Sequence, residues 1–473
     1  MSVNPGSVRR AEGSARGRWA LVLVAIVVAG VATRAALLGL APRYAFTGDH
    51  VDYVCWGRQT VTSGVLDLYR TAPGDCPADV VIDGRIERMR GGTGERLNYP
   101  PLAAYVFAMQ GWLLHRLDPS AVANTVTSRA VYATSTTVAE LVTALGVWAL
   151  VRSFTGGGAA VAAFAATWLA PPLLLDGPFW GQTESWVLAP AIWMLVAMVR
   201  ARWLTAGLLW GVALALKPSG LLFAPLWLYA FLFRSPRVRI VAGGVAAGAL
   251  VNLIALPFWL DSGAAWLRLT YLDNFVYRLH WTTAMAFNVW YVDLLTTGVL
   301  DARQPIFGVA RDTWGFVLLV GGLALAFALT HRWERRQPAR ATFGMLPLAA
   351  LITLAAVTLP TRVHSTYGTF AIPFLIATAF LIPRATLGAI ACLVTISLQI
   401  LSWQWANLLA MHVQPDERIF PPEIQARRQE MRGRDRPREW ALALANLAAV
   451  AAVTAGVATA KPSRHERSTN PTS

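Results

Sequence analysis

Apolar residues run through this sequence in blocks of roughly 16 to 24, and no other feature restricts its fold so tightly. Such a block is long enough to cross a bilayer as a helix. In lipid there is no water to satisfy a bare N–H or C=O, so each block must hydrogen-bond within itself. Charged residues make up 14% of the chain against 55% hydrophobic, where a soluble domain carries about 25% charged. A water-driven globule is excluded. The blocks predict helices over 19–40, 129–151, 159–175, 185–199, 203–216, 220–233, 240–260, 313–330, 342–359, 367–382, 385–403 and 440–460. The expected fold is an all-α polytopic membrane protein of about twelve transmembrane helices. Its expected parts are a cytoplasmic tail (1–18), a transmembrane domain (19–403) containing a long extracytoplasmic loop (41–128), a second such loop (404–439), and a last helix with a cytoplasmic tail (440–473).

The formal net charge of +15 would suit a nucleic-acid partner, but the arginines sit at the ends of apolar blocks, where topology uses them. With the amino terminus inside, the inner turns hold Arg152, Arg200 and Arg202, then Arg234, Arg237 and Arg239, then Arg332, Arg335, Arg336 and Arg340, then Arg384. This alternation predicts a multi-pass protein of the cell's inner (plasma) membrane with both termini inside. The segment 415–438, rich in both arginines and acids, falls outside and reads as a solvated loop. To keep the arginine clusters inside, the apolar stretches 99–114 and 288–300 must lie at the outer interface rather than cross it. Cys55 and Cys76 both fall in the first outer loop, where disulfides persist, whereas Cys392 lies in a span. A Cys55–Cys76 bridge is therefore expected.

Several polar groups then share the outer face. Asp49 and Asp52 follow the first helix exit, and a carboxylate at headgroup depth can serve as a base toward a substrate whose phosphate lies level with it. Asn98-Tyr99-Pro100-Pro101 opens the interfacial helix, with proline suited to a first turn. A hairpin from Asp176 to Ser185 carries Trp180, Gln182 and Glu184. Lys217 is one of two lysines, the other being Lys461 in the tail; at membrane depth it is a candidate phosphate anchor. Arg362 and His364 sit on a late outer turn. Each feature has a plainer reading: loop solvation for the acids, a helix start for the prolines, an aromatic anchor for the hairpin, snorkelling for the cations. Their joint placement on one face favours a site. No HExxH, CxxC pair, P-loop or GxSxG elbow is present, and no His/Cys cluster suggests zinc.

These motifs resemble the GT-C superfamily of glycosyltransferases, in particular the dolichyl-phosphate-glucose-dependent glucosyltransferases of N-glycan assembly and their bacterial relatives. Gly48-Asp49 with Trp56 is similar to a first-loop GD…W pattern, and Asn98 to Tyr105 to a DYPPLTAY segment. Asp176 to Ser185 matches a second polar hairpin, Lys217 a lysine after the next span pair, and Val363-His364-Ser365 a late VHE or HER motif. The sequence departs where Asn98 replaces an acid and where Ser365-Thr366 replaces Glu-Arg. The resemblance implies a GT-C fold and a metal- and cofactor-independent transfer of a monosaccharide (mannose, glucose or arabinose-like) from a polyprenyl-phosphate donor to an extracytoplasmic glycan, glycolipid or protein acceptor. Asp49 is implied as general base, with Asp52 as its alternate, and Trp56, Tyr99, Asp176, Gln182, Glu184, Lys217, Arg362 and His364 as substrate-binding residues. Nucleic acid is not an expected partner; membrane lipid is. The rival from another class is a polytopic transporter or lipid flippase, which would place charges through the bundle centre. The spans read as mostly aliphatic, and no internal repeat is evident.

Overall fold

A computed structural model of the chain describes residues 5–70, 77–82, 84–90, 97–278, 281–411 and 422–460. It is helical almost throughout. The first helix, α1 (Pro5–Tyr44), leads into a segment of α2 (Gly48–Ser63), α3 (Asp67–Arg70), an antiparallel hairpin of β1 (Pro77–Ile82) and β2 (Arg85–Arg90), and α4 (Pro101–Leu117). Next come α5 (Val126–Arg152), α6 (Gly157–Trp168), α7 (Pro171–Leu174) with a π-helical turn over Leu175–Trp180, α8 (Glu184–Val199), α9 (Trp203–Leu216), α10 (Ala224–Phe233) and α11 (Arg237–Ser262). A second intervening segment holds α12 (Ala265–Leu267), β3 (Thr283–Ala284), α13 (Val289–Thr297), β4 (Pro305–Ile306) and β5 (Val309–Ala310). The chain continues through α14 (Arg311–Arg336), α15 (Met345–Thr358), β6 (Val363–His364), α16 (Ile372–Leu381), α17 (Thr386–Met411) and α18 (Pro422–Ala458).

Among the described residues, eight helices are long and apolar enough to cross a membrane, and four shorter apolar helices span Glu184–Val199, Trp203–Leu216, Pro218–Phe233 and Ser365–Leu381. Segment by segment these twelve helices coincide with the twelve apolar blocks, eight of them at the length a crossing needs. One expectation needs correcting. The presumed loop 404–439 is helical over much of its length, because α17 runs on to Met411 and α18 begins at Pro422; residues 412–421 lie outside the described residues.

Local chemistry explains the key boundaries. Thr125 and Ser128 form a reciprocal capping box at the start of α5, satisfying donors that a helix start leaves bare. Asn288 accepts from the Trp290 and Tyr291 amides and so opens α13. Gly181, at φ 96, ends the π-helical turn in a left-handed conformation that a side chain would strain. Helices α2 and α4 touch backbone to backbone: a Cβ on Gly111 would lie 2.2 Å from the Gly57 carbonyl oxygen. That contact fixes α2, and with it Asp49, against α4.

The mostly aliphatic bundle holds a buried ion pair between α1 and α5. Arg34 of α1 pairs with Glu140 of α5, the two side chains being 2% and 1% exposed. The guanidinium also donates to the carbonyls of Gly30 and Trp168, at 3.1 and 3.0 Å, and lies 3.4 Å above the Trp168 ring. Burying two ions is expensive unless nearly every donor is used, and here most are.

Cys55 is disulfide-bonded and Cys392 is a free, buried thiol. Cys76, the expected partner of Cys55, lies outside the described residues.

Candidate functional site

Asp49 stands in the first turn of α2, where the helix dipole favours a carboxylate. Its Oδ2 accepts from Trp180 Nε1 at 3.1 Å and from Gln182 Nε2 at 2.5 Å. The π-helical turn and Gly181 place both donors, so the hairpin predicted as polar reaches back to the first loop. Asp49 remains half-buried. Asp52, by contrast, is 2% exposed and lies in the core beneath the loop.

A second network begins next to Asp49. Lys217 ends α9 and its Nζ donates to Glu184 Oε1 at 2.9 Å and to Thr183 Oγ1 at 3.4 Å. Thr366 Oγ1 donates to the same Glu184 oxygen at 3.0 Å, and His364 Nδ1 lies 2.9 Å from Thr366 Oγ1. Thr183 donates to the Tyr99 hydroxyl at 3.2 Å, which lies 3.3 Å from that of Tyr53. The ends of α8 and α9 and the 365–371 turn are thus joined by side chains. Trp180 bridges the networks: its ring stacks on Trp403 at 4.2 Å, and His364 lies 5.5 Å from it.

The electrostatics follow from burial. Desolvation raises Asp49 to about 6; the hydrogen bonds from Trp180 and Gln182 resist that rise, Glu184 adds to it and Lys217 opposes it. Burial lowers His364 to about 4, so at neutral pH it is an uncharged imidazole. Burial also opposes the charge on Lys217, but the Glu184 carboxylate outweighs it and holds the ammonium above its ordinary value. Lys217 is therefore a fixed cation ion-paired within this network.

Not every expected site residue joins the cluster. Asp49, Gln182, Glu184, Lys217, Tyr99 and His364 meet as described. Asp176 is 1% exposed beneath them, and its Oδ1 has no hydrogen-bond partner. Trp56 is 1% exposed and packs edge-on against Phe107 and Tyr99, so it supports α4 from within. Arg362 pairs with Asp312 at 2.5 Å, and its guanidinium belongs to the start of α14. Sequence reasoning missed Thr366, Trp403 and Arg129. Arg129 carried a legible signal: under the arginine alternation it falls at the opposite end of its span from the Arg152 cluster, against the bias of the others.

The family model described as Glycosyltransferase family 87 matches residues 97–360, more than half of the chain. The chain is 27% identical over 329 residues to a protein of Mycobacterium tuberculosis named polyprenol-phosphate-mannose-dependent alpha-(1-2)-phosphatidylinositol mannoside mannosyltransferase, covering 66% of this chain and 69% of that one. It is 28% identical over 347 residues to the protein of the same name from Mycolicibacterium smegmatis, covering 70% and 72%. Among solved structures, apo ArnT from Cupriavidus metallidurans superposes with a TM-score of 0.47 at 15% identity, over 94% of this chain and 78% of that one. The Archaeoglobus fulgidus oligosaccharyltransferase superposes with a TM-score of 0.42 at 15% identity, over 93% and 57%.

Proposed function

The chain belongs to glycosyltransferase family 87, and from that premise we propose that it moves one mannose from a polyprenyl-phosphate donor to a membrane glycolipid, at a site on the extracytoplasmic face. The observation that carries this reading is Asp49: a half-buried carboxylate at a helix N-terminus, held by two donors, beside a charged lysine network. In the proposed reaction the acceptor hydroxyl gives its proton to Asp49 as its oxygen bonds the anomeric carbon. The bond from that carbon to the phosphate oxygen breaks, and polyprenyl phosphate leaves with the electron pair. Lys217 supplies the positive charge for the phosphate and exchanges Glu184 for it; Tyr99 and neutral His364 offer uncharged hydrogen bonds beside it. Orientation rests on the arginine alternation, which keeps the Arg152, Arg200, Arg234 and Arg332 clusters on the face opposite the site. The mannosyl donor and glycolipid acceptor are carried over from the names of the mycobacterial relatives.

Two readouts of one assay test this. Purified protein given radiolabelled polyprenyl-phosphate mannose and a mannosylated glycolipid is expected to make an extended glycolipid and release polyprenyl phosphate. Donor left intact with every acceptor offered would remove the reading. The pH profile is fixed in sign: a base raised to about 6 is active above that value, so kcat/KM should fall roughly tenfold per pH unit below it and level off above. A profile flat from pH 5 to 8 would exclude Asp49 as the titrating base.

A further inference from the structure

Arg129, in the first turn of α5, is 3% exposed and has no carboxylate partner among the described residues. Its guanidinium is dressed with uncharged oxygens instead. Nε donates to Asn124 Oδ1 at 2.6 Å, one terminal nitrogen to the carbonyls of Phe179 and Trp180 at 3.2 Å each, and the other to the Phe46 carbonyl at 3.3 Å. A buried cation without a counter-charge is costly, and an apolar side chain of similar volume would be cheaper. What an apolar residue cannot do is hold several carbonyls at fixed angles, which the planar fork does.

The carbonyls it holds are specific. Phe46 lies on the stretch that leads into α2 and Asp49. Phe179 and Trp180 lie on the turn whose Trp180 and Gln182 side chains donate to Asp49. The guanidinium therefore joins the strand that carries the carboxylate to the turn that carries its donors. Its own position is fixed from behind: Asn124 donates to the carbonyls of Pro42 and Val81 at 2.9 and 2.7 Å, and the Thr125–Ser128 capping box sets the start of α5.

We infer that Arg129 is a positioning residue for the catalytic carboxylate: it never touches substrate, and it fixes the distance between Asp49 and the Trp180 and Gln182 donors. The inference rests on Asp49 being the base. It separates this arginine from the ion-paired ones, since the Arg34 and Arg362 guanidiniums answer to carboxylates elsewhere.

The experiment is a kcat-against-pH profile of Arg129→Lys in the full-length protein. Glu184, Lys217, Asp176, Tyr53 and Tyr367 also face Asp49, and the substitution alters none of them. A shift of the acid limb thus reports on the Trp180 and Gln182 hydrogen bonds, which favour the ionised form. Losing their alignment should move the limb to higher pH by about one unit, lower kcat at pH 7 by roughly tenfold, and leave the donor KM within about twofold. In a Trp180→Phe/Gln182→Leu background the same change should cost less than about twofold more, because the bonds it acts through are already gone. An unmoved acid limb, or the full loss repeated in that background, would show that Arg129 only holds the fold. If Arg129→Lys protein does not accumulate, Asn124→Ala, which removes the acceptor at Nε, is read by the same two criteria with the same expected direction. Full turnover by Asp49→Asn would be a separate failure, that of the base assignment, and is seen without touching Arg129.

Discussion

Asp49→Asn is expected to lower turnover at least a hundredfold while the protein still inserts, folds and binds donor. The amide keeps the size of the carboxylate and can still present an oxygen to Trp180 Nε1 and Gln182 Nε2, which now lie 3.1 and 2.5 Å from Oδ2. What it loses is the capacity to take a proton, and a positioned base contributes about 10²- to 10⁴-fold. The loss should fall on kcat, with donor affinity close to unchanged, because Lys217 and its partners are untouched. Equilibrium binding of the donor to the variant, beside its initial rate, separates the two. A variant retaining more than a tenth of wild-type turnover would move the role to Asp52, whose burial at 2% exposure argues against it.

The second large effect is on stability. Arg34→Met should destabilise the protein by about 3–5 kcal/mol, because it leaves the Glu140 carboxylate buried without its partner. Glu140 packs against the π-helical turn: a Cβ on Gly177 would sit 2.1 Å from Glu140 Oε1. A Glu140 seeking a proton or water would disturb the turn that carries Trp180. Replacing both members, Arg34→Met with Glu140→Met, removes the uncompensated charge and should recover most of the loss. Thermal unfolding in detergent distinguishes the cases. A double variant as unstable as the single one would show that the pair acts through packing on Trp168 rather than through charge.

The twelve apolar helices were legible because the bilayer imposes a one-dimensional rule: apolar length and arginine placement depend on the sequence near each block and on little else. Asp49, Gln182, Glu184 and Lys217 stood out for a related reason, as polar groups at block ends where the plain requirement is a turn. The network among them was not legible. That Thr366 donates to Glu184 across 182 positions, or that Trp403 stacks on Trp180, depends on how α8, α16 and α17 meet, and helix faces do not announce their neighbours. Trp56 shows the converse. Its spacing from Asp49 attracted a functional reading, but α2 turns that side chain inward onto Phe107. Arg34 and Glu140 lay inside apolar blocks, where an ionisable residue is informative by itself; averaging hydropathy over the block hid them.

The backbone of Phe287 gives the site a place in time. Its N–H donates to Gln399 Oε1 at 2.6 Å, and its carbonyl accepts from Asn446 Nδ2 at 2.7 Å. Gln399 also donates to the carbonyl of Ser365, beside Thr366, and the neighbouring β3 pairs with β6 at His364. Thus the segment that seats His364 and Thr366 is clamped by side chains of α17 and α18, two helices that follow it in the chain. A nascent chain that already carries Asp49, Gln182 and Lys217 still lacks Asn446. Chains grow at about 5–20 residues per second, so a translating polypeptide passes several seconds with its late turn made and still unclamped. On the proposed assignment, a chain cut before Asn446 keeps Asp49, Gln182 and Lys217 but lacks the clamp that seats His364 and Thr366.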